Sequence, residues 1–431
     1  LTAAWLWALA LPQAEPPLTL EEAMRIAEQN SFSIALQQSD IEKARQRVNE
    51  AAASLKPQVS ASGTYTRNDR ETTASFGQGQ TVVIQPIDSS TIGGSVSIPI
   101  DISLRIRRGV NAARENERAS RATLDAVRSD IRLSVKNAYY AVLKAQALVR
   151  VQQATLESVN ARLTQIRRQV ELGSTARVEL TRQETLRQQT ITNLESAQNN
   201  LQQALYSLNQ ALARPIETPV TVVSQLPSTT VAATEAELVQ TAYADRAELR
   251  ALAATRRGLE QARKAQEAGD DPSLNVSVQY QRNLDPAGLT AQSEATAGVL
   301  SLSIPIFDGG ATRARVRQAR QDEAQLDIQI AQSRLGISQE VRSARVSLES
   351  ARARVRAAQE QLRLANELLR IADVRQQAGE GTYVERIDAQ REVTEAETNL
   401  VNARFDEVLA YAQLQRAVGR EDLSAPSGNT K

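Results

Sequence analysis

Apolar residues recur at steps of four and three along much of this chain. Ile337, Val341, Ala344, Leu348, Ala351, Val355, Ala358, Leu362, Ala365, Leu369 and Ala372 form one unbroken seam, with a period of roughly 3.5 residues. An earlier seam runs through Ile131, Val135, Ala138, Val142, Ala145, Val149, Leu156, Val159, Leu163 and Ile166, interrupted at Gln152. Such stripes predict coiled-coil packing, and alternating large residues with Ala lets neighbouring helices approach closely. A helix from residue 310 to 377 is on the order of 100 Å long at 1.5 Å per residue, a reach that no globular domain requires. Gly173 and Gly379 end the two stretches, and returning helices are predicted over Val178–Leu212 and Val384–Val418.

Elsewhere the period changes to two. Val276, Val278 and Tyr280 alternate with Asn275, Ser277 and Gln279, and Val96, Ile98 and Ile100 alternate with Ser95 and Ser97. The predicted strands are 58–67 with 91–100, and 273–282 with 296–306. Two-faced alternation suits a membrane barrel strand, although a half-buried soluble hairpin gives the same pattern. The stretches 68–90 and 283–295, rich in Gly, Ser, Thr, Asp and Gln, read as external loops.

These elements occur twice. Thr19 with Glu22 corresponds to Thr234 with Glu237, each a capping-box signature opening a helix. Pro57 with Tyr65 and Asn68 corresponds to Pro272 with Tyr280 and Asn283, and SIPI at 97–100 recurs at 303–306. Pro57 and Pro272 are predicted to end a helix and begin a strand, and Pro99 and Pro305 to mark the change from second strand to long helix, since proline disrupts both interiors. The expected organisation is a first structural repeat over 15–213, a linker over 214–234, a second repeat over 235–419 and a flexible tail over 420–431. Leu1 to Leu11, with Trp5 and Trp7, is too short to span a bilayer, and residues 1–14 read as the remnant of a signal peptide, cleaved after Ala10 or Ala14.

Composition narrows the function. With 51 basic and 50 acidic residues in 431 and a net charge of +1, no basic face points to nucleic acid. The chain has no Cys and no His. Disulfides, thiolate nucleophiles, the commonest general base and most zinc sites are thereby excluded, and no enzyme activity, metal or cofactor is expected. Outside the strands, no segment supplies the roughly 18 to 20 apolar residues of a membrane helix, so strands must make any crossing. Two strands per half give four per chain, too few to close a barrel, so several copies must share one ring.

The duplicated plan, the two SIPI strand ends, VRQQAGEGTYVERIDAQ at 374–390 and LQRAVG at 414–419 together resemble the TolC-like outer-membrane efflux family. The resemblance covers nearly the whole chain, from Leu18 to about Gly419. It implies a mainly α fold with a small antiparallel β part: long coiled-coil helices forming a periplasmic α-barrel, joined to a trimeric twelve-stranded barrel in outer-membrane lipid. It further implies a homotrimer that is a passive duct of a tripartite efflux or type I secretion system, working with a periplasmic adaptor and an inner-membrane transporter that selects the cargo. The other reading is a periplasmic adaptor itself. An adaptor should carry one helical hairpin inserted into lipoyl-like and small barrel domains, whereas here the hairpin appears twice with strands attached. Aromatic girdles are thin for a membrane barrel, with only Tyr65, Phe76, Tyr280 and Phe307 near the strands.

The resemblance also suggests sites. Leu172, Gly173 and Ser174, with Ala378, Gly379 and Glu380, are expected to form hairpin tips that dock the adaptor, and Gly at each suits a helix C-cap in any case. Acidic residues matching Glu385 and Asp388 ring the periplasmic constriction in the family, and Glu179 occupies in the first half the place of Glu385. Thr382 with Glu385 is also a capping box, which explains that acid without a gate. Arg182 stands where Asp388 stands in the second half and is expected to pair with an acid. Gln376 and Gly381 replace a tyrosine and an arginine that help latch the closed tip in some relatives.

Overall fold

The computed structural model describes residues 17–76, 80–284 and 293–423. The signal-peptide reading of 1–14, the tail beyond Leu423 and parts of both predicted external loops lie outside the described residues. Helices α1 (Leu20–Asn30) and α2 (Phe32–Ala53) open the chain. Four strands follow: β1 (Gln58–Arg67), β2 (Thr72–Phe76), β3 (Gln80–Gln85) and β4 (Asp88–Ile100). Then come α3 (Arg105–Glu171) and α4 (Arg177–Ala211). The second series has α5 (Glu235–Asp245), α6 (Ala247–Glu267), β5 (Ser273–Asn283), β6 (Glu294–Ser303), α7 (Ala311–Gln377) and α8 (Tyr383–Val418). Among the described residues no helix is long and apolar enough to cross a membrane.

Two compact units result. One contains 1–37, 123–249 and 332–431, so far as they are described; the other contains 38–122 and 250–331. In the first, the seams lie inside: Val135, Val142, Val159, Leu163 and Ile166 of α3 and Ile337, Val341, Leu348, Ala351 and Ala365 of α7 are buried. Its largest core joins Ala23 and Ala27 of α1, Tyr139 and Leu143 of α3, Leu208 and Leu212 at the end of α4, Val222, and Phe405 and Val408 of α8. Leu18 pairs in parallel with Val222 across a single bridge. Tyr139 is 2% exposed, and its hydroxyl donates to the carbonyls of Leu18 (3.0 Å) and Val223 (2.8 Å), fastening the start of the chain to the connection between α4 and α5.

In the second unit an antiparallel sheet has the order β1-β4-β5-β6. Directly paired residues share a face. The registers therefore place Val59 and Tyr65 with Ile92, Val96, Ile98 and Ile100, then Leu274, Val276, Val278 and Tyr280, then Leu300 and Leu302, all on one side. The opposite side carries Ser60, Ser62, Thr64, Ser95, Ser97, Asn275, Ser277, Gln279 and Ser301, with Val299 the large apolar exception. Ser60 and Ser95 share a hydrogen bond of 2.8 Å there, and Ser97 donates to Asn275 at 3.1 Å.

Four expectations differ from the structure. Each opening helix is two: α1 stops at Ser31 and α5 at Arg246, both extended, where the caps' backbone N–H groups still reach Ala27 and Ala242. The first external loop is not all loop, because β2 and β3 pair as a separate hairpin within 72–85; TTASF and QTVVIQ carry the β-branched residues that favour it. Pro57 and Pro272 lie between helix and strand and Pro305 follows β6, but Pro99 lies inside β4, opposite Asn275. It is tolerated because β1 pairs with β4 only as far as Ser97, so β4 has just one neighbour at Pro99. Finally, Thr234 and Glu237 make both bonds of a capping box, whereas Thr19 accepts from Glu22 without the reciprocal bond.

Candidate functional site at the hairpin turns

Gly173 and Gly379 take φ of 73° and 79°, the left-handed region. Both turns close with the same pair of bonds. Ser174 N–H donates to Gln169 O (2.9 Å) and Gly173 N–H to Val170 O (3.0 Å); Glu380 N–H donates to Arg375 O (2.9 Å) and Gly379 N–H to Gln376 O (3.1 Å). This is the Schellman arrangement, which satisfies the last carbonyls of a helix and needs positive φ at the penultimate position. Nothing lies within 4 Å of a Cβ built on either glycine, so only the backbone demands them. Leu172 is 82% exposed, and Ser174, Ala378 and Glu380 are exposed beside it. Gly381 is held differently: a Cβ there would meet Gln376 N at 3.0 Å and Arg375 Cβ at 3.1 Å.

The three candidate carboxylates begin the returning helices. Glu385 completes the capping box on Thr382: its N–H donates to Thr382 Oγ1 (3.2 Å), and its own carboxylate accepts from Thr382 N–H (3.4 Å). Arg375 approaches it at 3.6 Å. Asp388 lies one turn along α8, largely exposed, and meets Arg391 at 3.4 Å. Glu179 meets Arg182, one turn along the same helix, at 3.4 Å; its side chain is only 16% exposed, and its Oε2 is buried with no hydrogen-bond partner. No hydrogen bond or ion pair joins the three acids to one another among the described residues. Each instead has an arginine of its own chain, and Arg375 and Arg391 were not singled out by sequence.

A second set of side chains links the two hairpins near their turns. Tyr383 donates its hydroxyl to Gln169 Oε1 at 3.0 Å, and the same hydroxyl is 3.0 Å from Thr175 Oγ1. Arg162 lies over the Tyr383 ring, 5.8 Å from its centre, and donates to Gln376. Burial, followed by nearby Arg386, lowers Arg162 from the usual arginine value, while Tyr383 and Asp373 act in the other direction. Arg386 is held by Asp373 at 2.6 Å. Sequence reasoning missed this set because Tyr383 and its partners are more than 200 residues apart, where spacing carries no signal.

The comparison with known proteins decides what this arrangement belongs to. The model of a family described as outer membrane efflux protein matches residues 23–214 and 238–420. The chain belongs to that family. It is 24% identical to the cobalt-zinc-cadmium resistance protein CzcC of Cupriavidus metallidurans, over 95% of this chain and 91% of that one. It is 23% identical to nodulation protein T of Rhizobium leguminosarum, over 90% and 80%. Among solved structures, the channel protein CusC superposes with a TM-score of 0.78 at 19% identity, over 93% of this chain and 92% of that one. The open state of the MtrE outer membrane channel of Neisseria gonorrhoeae gives 0.75 at 21%, over 93% and 89%. An outer membrane efflux protein is a transport channel of the outer membrane and not an enzyme.

Proposed function

We propose that this efflux-family chain is one subunit of a trimeric channel-tunnel, a passive exit duct for a tripartite efflux or type I secretion system. The sheet carries the reading. It is apolar on one face, polar on the other, and open at β1 and β6. Open edges are not sustained in hydrocarbon, and bacterial membrane barrels close with eight or more strands. Three copies supply twelve. The face of Val96, Val278 and Leu300 then meets lipid, while the serines, Asn275 and Gln279 line the water-filled lumen. The seams of α3 and α7 continue the duct as a helical tube through the periplasm, where an adaptor and an inner-membrane transporter complete the route. The relatives are named for metal resistance and for nodulation. That variety suits a duct whose cargo is chosen by its transporter. Detergent extracts of outer membranes should contain heat-stable trimers of this chain. Recovery only as a soluble periplasmic monomer would remove the reading and favour an adaptor.

Within that trimer, the turns at Leu172, Gly173 and Ser174 and at Ala378, Gly379 and Glu380 dock the adaptor. Trp at Gly173 or Gly379 should stop export while trimers persist; normal export from both variants removes the turns from the interface. Threefold symmetry makes rings of Glu179, Glu385 and Asp388. One arginine within 3.4–3.6 Å reduces the field of each ring, and Asp388, unlike Glu385, has no capping bond to hold its carboxylate. Carboxylate rings attract cations and hold multivalent ones across a narrow entrance. Replacing Glu385 and Asp388 with Ala should lower cation selectivity and multivalent block in planar bilayers, more at Asp388. Unchanged conductance properties would leave Glu385 only its capping role.

A further inference from the structure

Directly after β4, residues 102–114 contain Arg105, Arg107, Arg108 and Arg114 and no acid. After β6, residues 309–321 contain Arg313, Arg315, Arg317 and Arg320 and again no acid. Against a chain with 51 basic and 50 acidic residues, these windows are local exceptions at matched places. They also oppose helix electrostatics. Both windows include the start of a 67-residue helix, the end where the dipole disfavours cations. α3 and α7, like the shorter α2, have no acid in the first turn, whereas α1, α4, α5, α6 and α8 do.

Nearby acids do not answer the arginines. Asp101 accepts from the N–H groups of Ile106 (3.1 Å) and Arg107 (2.9 Å), and Asp308 from those of Gly310 (2.8 Å) and Thr312 (2.6 Å), so both serve the helix backbone. Arg105, Arg107, Arg313, Arg315 and Arg317 are exposed, and none has an ion pair among the described residues. Arg320 reaches Glu267 at 3.7 Å and Arg108 donates to the Lys264 carbonyl at 2.9 Å. Asp270 and Asp271 stand ahead of β5, exposed and equally without an ion pair.

What precedes the arginines is apolar and exposed: Ile100, Ile102 and Leu104 ahead of Arg105, and Leu302, Ile306 and Phe307 ahead of Arg313, the last two 97% and 89% exposed. An apolar face running straight into guanidinium groups is the profile of a bilayer edge, where hydrocarbon gives way to phosphate. Arginine suits that border, with its stem on apolar surface and a planar fork that takes phosphate oxygens in pairs.

We propose that these two windows form a collar that binds the phosphates of anionic phospholipid headgroups at the periplasmic face of the outer membrane and fixes the depth of the barrel. The proposal rests on the channel reading above. The test compares the purified wild type with R105Q/R107Q/R313Q/R315Q/R317Q in vesicles of phosphatidylcholine with and without phosphatidylglycerol, scoring lipid retained after extraction by native mass spectrometry. The wild type should retain phosphatidylglycerol preferentially, with the preference lost at high salt. The variant should lose at least about tenfold of it, given the electrostatic contribution of each arginine near an anionic surface. Circular dichroism should show the helices intact, since removing cations from a helix start does not weaken it. A wild type that enters both membranes but retains the two lipids equally overturns the collar alone. So does displacement of the lipid preference by inorganic phosphate at matched ionic strength in wild type and variant alike. A variant with altered ion selectivity but undiminished lipid retention puts the arginines in the pore and also overturns it. A wild type that enters neither membrane overturns the channel reading with the collar.

Discussion

Around Arg246 the chain answers its own charges, whereas in the sheet it leaves its needs to other molecules. Arg246, 6% exposed in its side chain, forks onto Glu248 (2.8 and 3.1 Å), reaches Glu340 at 2.7 Å and donates to the Ala417 carbonyl at 3.1 Å. Arg416 joins the same cluster through Asp130 (2.7 Å), Glu340 (2.8 Å) and Glu248 (3.1 Å). Five side chains from α3, α6, α7, α8 and the joint after α5 are thus matched within one copy. The sheet has the reverse economy: Val59, Leu300 and Leu302 are 76%, 69% and 58% exposed, and β1 and β6 each have one paired side. Arg246 is buried, and a buried cation without partners is costly, so its acids are supplied by the same copy. An apolar face is completed by whatever apolar medium covers it. The contrast separates a cluster satisfied within one copy from a sheet whose apolar face and two edges stay uncovered in it.

The sharpest way to break that contrast is Arg246→Ala. It leaves Glu248 and Glu340 with Arg416 as their remaining cation and the Ala417 carbonyl without its Arg246 donor, and about 1.5–3 kcal/mol of stability should go, read as a fall in the unfolding temperature of the helices. A cost under ~1 kcal/mol would show that solvent already screens the cluster. On the other side, Val278→Arg places a cation in the middle of the apolar face. It should cost roughly 2–4 kcal/mol in a bilayer, with trimers lost from membrane extracts while helical circular dichroism is kept. Equal trimer yield would mean that this face does not meet lipid.

A smaller effect is expected at Gly379→Ala. No atom obstructs the new methyl, so the cost is that of a left-handed backbone, about 1–2 kcal/mol, measured as local hydrogen exchange at the turn. The least effect concerns pH. Burial alone would raise Glu248, yet the hydrogen bond and charge of Arg246, with the charge of Arg416, hold it below the ordinary glutamate value. A depressed carboxylate stabilises the fold above its unfolded value of about 4.3 and loses that contribution as pH falls through the folded value. Acidification from neutral pH to below that range should therefore lower the unfolding temperature more in wild type than in Glu248→Gln. Equal slopes would assign the acid sensitivity to other groups.

The seams and the two-faced strands were legible because each depends on local period. Residues from Ile337 to Ala372 spell a buried stripe whatever they pack against, and Val276 to Tyr280 spell a face. Loop composition hid β2 and β3, since Gly and Ser around Thr72 and Gln80 outweigh a short β-branched run. Pro99 was misplaced because its tolerance depends on where β1 stops, a fact of register between distant segments. The turns at Gly173 and Gly379 were readable from glycine chemistry, and the box on Thr382 from its spacing. The link of Arg162, Gln169 and Tyr383, like the Arg246 cluster, was not, because each residue alone resembles an ordinary surface position of a helix.

The open borders of the sheet have a consequence for the life of a newly made copy. In the proposed trimer β1 and β6 pair with other copies; until they do, one chain offers two ladders of unmet amide groups beside an uncovered apolar sheet, the very template on which strands stack without limit. Correct closure and runaway stacking begin from the same encounter and differ only in whether a ring completes. Their rates both rise with concentration, so overproduction does not favour the proper outcome. For the trimer proposed above, the remedy is to hold the chain dilute and shielded until it reaches lipid.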